Sequence, residues 1–158
     1  MTFDDLLPAG RFEFHRRTVE VPGDLRVSWR LSLVAIILAS SRAKKASLAK
    51  VHLLSDALRN KGKAELLIDI LEGRLPASKW RIRIEPALGR LLDIAVGENI
   101  ISVESGPQYR ITQKGIRLSA SIRQSGEPLS AQRAFLDAHA SRITEGFVAD
   151  LVRMVSGR

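Results

Sequence analysis

Apolar residues recur at intervals of three and four along most of the chain, a spacing that predicts amphipathic helices. Ser28 is placed to begin a helix that ends near Ser41. The centre of this helix is apolar on nearly every face, so we expect it to lie in the middle of a core or beneath a second surface. Further helices are predicted at residues 47–60, 64–73, 86–99, 113–124 and 130–155.

The helical region predicted at 130–155 carries its own apolar stripe. Its members recur at three and four residues and must be buried against another surface. They are Leu136, Ala140, Ile143, Phe147, Leu151 and Met154.

Alternating apolar and polar residues predict two short strands, at residues 12–21 and 79–84. A hairpin is predicted at residues 100–111, around a Ser-Gly-Pro turn, and Thr112 is placed to cap the helix that follows. Three helices, a hairpin and another helix form the order of a winged helix-turn-helix. We therefore predict a mainly α fold of the α+β type, with an N-terminal arm and short strand at 1–27, a winged-helix domain at 28–125 with an insertion at about 61–84, and a C-terminal helical extension at 126–158.

The length of 158 residues is compatible with one domain and an appended arm. The chain has no cysteine, which excludes a disulfide framework or a thiolate metal site and fits a reducing cytoplasm. The longest apolar run, at residues 33–39, is far shorter than a membrane span. No secretory segment is recognisable in the first ten residues. We expect a cytoplasmic protein without a membrane partner.

Catalytic motifs are not evident in the sequence. The three histidines fall in three different predicted elements, without a second ligand at metal-binding spacing. His52, Ser55 and Asp56 have the composition of a catalytic triad, but all three belong to one helical segment. There is no phosphate-binding loop and no dinucleotide fingerprint. We therefore expect no enzymatic activity, no cofactor and no small-molecule substrate.

The formal net charge of +8 is concentrated in one stretch of the chain. Between residues 42 and 63, seven bases accompany a single acid, Asp56. Such a stretch can contact nucleic-acid phosphates without reading sequence, can be plainly solvated, or can face an acidic partner protein. The candidate nucleic-acid contacts are Arg42, Lys44, Lys45 and Lys50.

Sequence-specific reading of DNA is disfavoured at both positions that usually provide it. The helix before the predicted wing offers only Arg90 and Asp93 as long polar groups, and the wing tip at 104–108 is acidic to neutral. The apolar positions of this helix and of the C-terminal stripe exceed what one small domain needs, which indicates protein interfaces. The candidate interface residues are Leu88, Leu92, Ile143, Phe147 and Leu151.

Three segments together resemble a known family. They are KKASLAKVHLLSDALRN at 44–60, EPALGRLLDIAVGENIISV at 85–103 and YRITQKG at 109–115. The combination resembles the middle component of bacterial ABC-three-component systems, small winged-helix proteins encoded between an SMC-like ABC ATPase and an effector. Lamassu-type phage defence belongs to this group. The resemblance covers residues 28–155, and residues 1–27 lie outside it.

The resemblance implies a non-enzymatic adaptor that couples an SMC-like ABC ATPase to an effector such as a nuclease in an antiviral complex, with possible non-specific DNA contact. The alternative is a homodimeric winged-helix transcription regulator that binds DNA sequence-specifically. The wing signature and the high isoelectric point favour the regulator, whereas the apolar third helix and the neutral wing favour the adaptor.

Overall fold

The computed structural model describes residues 23–83, 85–126 and 129–156. Within these ranges the chain is mainly helical and carries one three-stranded antiparallel sheet, which confirms the α+β class. The helices are α1 Gly23–Ser40, α2 Leu48–Ala57, α3 Lys61–Leu71, α4 Pro86–Gly97, α5 Gln113–Gln124, α6 Ser130–His139 and α7 Glu145–Ser156. The strands are β1 Lys45–Ser47, β2 Ile101–Glu104 and β3 Gln108–Ile111, and short 3-10 turns lie at Arg42–Lys44, Ala77–Lys79 and Ala140–Arg142.

Helix α1 occupies the centre of the fold. Residues 33–38 are each at most 1% exposed, because α2, α4, α5 and α6 pack around this helix. An apolar helix enclosed on all sides was the expectation. The helix begins at Gly23 rather than at Ser28, because no helix breaker interrupts residues 24–27. The boundary predicted between the N-terminal arm and the winged-helix domain, after residue 27, therefore falls inside α1. The strand predicted at 12–21 lies outside the described residues.

Side-chain caps begin helices α2, α3 and α5. The Ser47 hydroxyl accepts a hydrogen bond from the Lys50 amide at 3.1 Å and begins α2, and the Thr112 hydroxyl accepts one from the Gly115 amide at 3.1 Å and begins α5. Both caps were predicted. Asn60 follows α2 and also caps α3, because its side-chain oxygen accepts hydrogen bonds from the Gly62 and Lys63 amides.

The sheet joins the basic turn to the hairpin. Its order is β1-β3-β2, and both pairings are antiparallel. Strands β2 and β3 form the predicted hairpin, with Ile101 opposite Ile111. Strand β1 was not predicted, because three residues are too few for an alternating pattern. It places Lys45 opposite Arg110.

The strand predicted at 79–84 is wrong for the residues described. A 3-10 turn covers Ala77–Lys79, and residues 80–83 have no strand partner. Trp80 is buried and packs its ring 5.6 Å from the Lys63 ammonium, while Ile82 stays exposed. The alternation of apolar and polar residues at 79–84 therefore reflects the burial of the Trp80 side chain and not a strand in a sheet. Ile84 lies outside the described residues.

The C-terminal helices complete the core instead of extending away from it. Helices α6 and α7, separated by a 3-10 turn, replace the single helical region expected at 130–155, and the chain turns at Ile143, where ψ is 76°. Helix α6 packs on α1, and α7 packs on α2. Of the apolar stripe, Met154 alone is widely exposed. Within residues 23–156 as described, no helix has the length and apolar character to cross a membrane.

Candidate functional site

Four of the five residues expected at a protein interface belong to the chain's own core. Leu88, Leu92, Ile143 and Leu151 are each at most 3% exposed, and Phe147 is half-buried against the same core. Ile143 and Leu151 are covered because α6 packs on α1 and α7 packs on α2, whereas Leu88 and Leu92 are covered by α1 and the hairpin. These four side chains have no surface to offer a partner, so a docking surface has to be sought elsewhere.

An apolar groove of about 550 Å³ lies between α2, α7, residues 80–83 and the 105–107 turn. One end is bounded by the turn, where the Leu48 amide donates to the Pro107 carbonyl at 3.3 Å. On α2, residues 48, 52 and 56 face the groove because helical residues four apart share one side. The walls are formed by Leu48, Leu53, Trp80, Ile82, Leu151 and Val152.

Three ionisable side chains also line this apolar groove. Burial lowers the pKa of His52, and the charge of Glu85 offsets only part of that effect, so the imidazole is neutral at physiological pH. Asp56 forms ion pairs with Lys63 and, at 3.6 Å, with Arg59. Arg83 is exposed, and its guanidinium has no hydrogen bond or ion pair in the described part of the chain. The groove thus combines apolar walls, a compensated acid and one available cation.

The triad-like composition of α2 is not assembled into a triad. Ser55 is buried, and the carboxylate of Asp56 is directed to Lys63 and Arg59. Among the described residues no hydrogen bond joins His52 to either of them. These three side chains therefore do not form a nucleophile and base pair in this arrangement.

Helix α4 and the hairpin expose several aliphatic side chains among charges of opposite sign. On α4, the side chains of Ile94 and Val96 are exposed beside Arg90 and Asp93. On β2, Val103 is 61% exposed. The acid at the hairpin tip, Glu104, accepts hydrogen bonds from the Arg110 guanidinium, which lowers the pKa of that carboxyl. The tip is therefore neutralised within the hairpin.

The basic turn between α1 and α2 presents fewer cations than its sequence indicated. Arg42 and Lys44 are exposed, and Lys45 is half-buried. The chain bends sharply here, with Ala43 and Lys44 at positive φ values of 56° and 57°. Lys50 is only 3% exposed, so it lies beneath the turn and not on the surface with the other three. Lys50 was predicted to contact phosphates at the surface. The structure corrects this prediction, because the residue is buried.

A second cavity, of about 560 Å³, lies beneath the basic turn. We call it the Lys50 cavity, and its polar lining includes Ser40, Arg42, Lys45, Lys50, Thr144 and Glu145. It and the apolar groove were both missed in the sequence, because each joins segments that are distant along the chain. The local signals available in the sequence were Arg81 and Arg83 and the basic cluster at 42–50.

Comparisons with protein-family models, with characterised proteins and with solved structures found no match for this chain.

Proposed function

We propose that the chain is a winged-helix protein that acts as a non-enzymatic adaptor and binds a partner protein through the apolar groove. The order of elements supports the fold assignment. Helix α1, strand β1, helix α2, helix α4 and the β2–β3 hairpin follow one another, and β1 pairs with β3 at the inner side of the hairpin. In this assignment, helix α3 and the 3-10 turn at 77–79 form the insertion expected at about 61–84 between the second and third helices.

The apolar groove is the observation that carries the proposal. Partner recognition concentrates in pockets that accept a few apolar anchors, and this groove has apolar walls from four separate segments. Ile82 stands at its rim with 41% of its side chain exposed. Arg83 adjoins it, and its guanidinium has no ion-pair partner among the described residues. These features fit a partner segment with two or three apolar side chains followed by an acidic residue that pairs with Arg83.

The surfaces that would read DNA in such a fold support a protein partner instead. Bases in the major groove are read by side chains such as arginine, asparagine and glutamine. Helix α4 exposes Ile94, Val96 and Asp93 alongside one arginine. Bringing an aspartate and two aliphatic side chains against phosphates is unfavourable.

The identity of the partners follows from the resemblance of the three segments. We propose an SMC-like ABC ATPase and an effector such as a nuclease, joined by this chain in an antiviral complex. The adaptor role requires at least two contacts. We assign the apolar groove to the ATPase, and the exposed apolar face of α4 and β2 is available for the effector.

Co-expression with the products of the adjacent genes tests the proposal. Ile82→Glu places a charge against the apolar walls at the groove rim and should weaken the complex with the ATPase about 10-fold or more, because a buried, unpaired carboxylate opposes binding. Val103→Glu introduces the same side chain at an exposed aliphatic position outside the groove and should leave that complex intact. A complex that tolerates Ile82→Glu as well as it tolerates Val103→Glu would rule out the groove.

A second candidate is favoured by one observation. Arg42 and Lys44 remain exposed on the basic turn, which is compatible with a DNA-binding regulator or with non-specific DNA contact by the adaptor. A footprint with sequence preference that survives competitor DNA would support the regulator. Loss of all binding in competitor would leave the adaptor as the better explanation.

A further inference from the structure

The Lys50 cavity contains a buried cation without a hydrogen-bonding partner. Lys50 is 3% exposed and lines the cavity. Within the described ranges its ammonium has neither a hydrogen bond nor an ion pair shorter than the usual limit of 4.0 Å. A buried charge is unfavourable unless it is paired. Burial accordingly lowers the pKa of Lys50, and the nearby charge of Glu145 reverses only part of this shift.

Glu145 is held by another group. Its carboxylate accepts a hydrogen bond from the Ser47 amide at 2.9 Å, at the start of α2. This contact links the first turns of α2 and α7 and engages one oxygen of the carboxylate. Glu145 therefore lowers the positive potential of the cavity without filling it.

Two further donors line the same cavity. The hydroxyl oxygen of Ser40 is buried and has no hydrogen-bond partner. The first turn of α7 also borders the cavity, through Thr144, Glu145 and Gly146. Thr144 caps the helix by accepting from the Phe147 amide at 3.0 Å, and the amides ahead of Phe147 have no intrahelical acceptor. The positive end of a 12-residue helix favours an anion.

The charge and the volume of the cavity define the class of ligand. Three cations, Arg42, Lys45 and Lys50, face one carboxylate, Glu145, which leaves an excess of two positive charges. A phosphate monoester carries about two negative charges at neutral pH. The cavity volume of about 560 Å³ lies within the range typical of small-molecule sites and exceeds the needs of inorganic phosphate alone.

We infer that the Lys50 cavity binds a small phosphomonoester of about the size of a nucleoside monophosphate. The phosphate lies between Lys50, the Ser40 hydroxyl and the first amides of α7, while Arg42 and Lys45 cover it from the turn. Gln108 and Ser141, also on the cavity wall, offer polar contacts to the rest of the ligand. Nothing in this inference depends on the partner of the adaptor.

Calorimetric titration of the chain alone tests the inference, with adenosine monophosphate, inorganic phosphate and adenosine as three separate probes. We expect the two phosphates to bind and adenosine to fail, because the nucleoside lacks the anion. Lys50→Met should weaken phosphate binding at least about 10-fold, the value of one charge-assisted hydrogen bond. Lys61→Met removes the same charge from the exposed start of α3 and should leave binding unchanged.

Thermal unfolding of each variant identifies any loss of binding that is due to misfolding. If Lys50→Met fails to fold, Ser40→Ala and Arg42→Met provide the same test with smaller expected losses. Binding that persists in folded Lys50→Met, equal binding of adenosine, or no binding of either phosphate would each overturn the inference.

Discussion

Replacing Gly115 by alanine tests how closely α5 packs against the β2–β3 hairpin. A methyl group at this position would lie 2.6 Å from the Cγ1 atom of Ile111 and closer still to the carbonyl oxygen of Ile100. That carbonyl cannot easily move. It accepts a hydrogen bond from the Thr112 amide at 3.0 Å, and the Ile100 amide donates to the Ala95 carbonyl at 2.9 Å.

The size of the effect follows from two opposing contributions. Overpacking typically costs about 1–3 kcal/mol, and a rigid backbone neighbour places Gly115→Ala at the upper end. Alanine in a helix instead gains about 1 kcal/mol over glycine. The net loss is therefore about 2 kcal/mol, equivalent to a fall in Tm of about 4–8 °C for a chain of this length.

Gly89→Ala is the matched control. Gly89 is also helical, lies on the exposed side of α4, and a methyl group there would meet nothing within 4 Å. This variant should gain about 0.5–1 kcal/mol. Urea unfolding, followed by helical circular dichroism, measures both. Equal stabilisation of the two variants would refute the close packing of α5 on the hairpin.

Three other predictions concern stability. Thr112→Val should cost about 1 kcal/mol, since it removes the cap of α5, and an unchanged urea midpoint would contradict that cap. Lys50→Met should raise the free energy of unfolding at pH 7 by about 1 kcal/mol, because it removes a buried charge. A large loss of stability would instead show that the attraction between the Lys50 ammonium and the Glu145 carboxylate dominates. Burial lowers the pKa of His52 below 6.5, so this imidazole binds a proton less readily in the folded chain than in the unfolded chain. The free energy of unfolding should therefore fall as the pH drops from 6.5 towards the folded pKa. His52→Gln should make the free energy of unfolding less dependent on pH below 6.5, as measured by urea unfolding at several pH values. An unchanged pH dependence would contradict this role of His52.

Helices whose signals are local could be predicted from the sequence. Ser47 and Thr112 cap α2 and α5 as expected, and Pro86 occupies the first turn of α4. Each of these features depends on hydrogen bonds or backbone angles within a few residues. Strand β1 could not be found in this way, because it exists only through pairing with Arg110 and its neighbours, more than 60 residues away in sequence.

The candidate contact residues were harder to predict, for a related reason. Charge and apolar character can be read from a sequence, but the direction of a side chain depends on tertiary packing. Lys50 belongs to a basic cluster in sequence and yet lies buried beneath the turn. Leu88 and Leu92 were counted as surplus apolar surface, although the fold encloses them. Both cavities form between segments that only the folded chain brings together.

Site-specific photo-crosslinking in the co-expressed complex tests the adaptor role of the apolar groove most directly. A crosslinking residue is placed at Ile82, on the groove rim, and in a matched variant at Val103, on the hairpin. We predict crosslinks from position 82 to the SMC-like ATPase, with none to that subunit from position 103. Crosslinks to the ATPase from position 103 and none from position 82, in a complex that is otherwise assembled, would contradict the proposal.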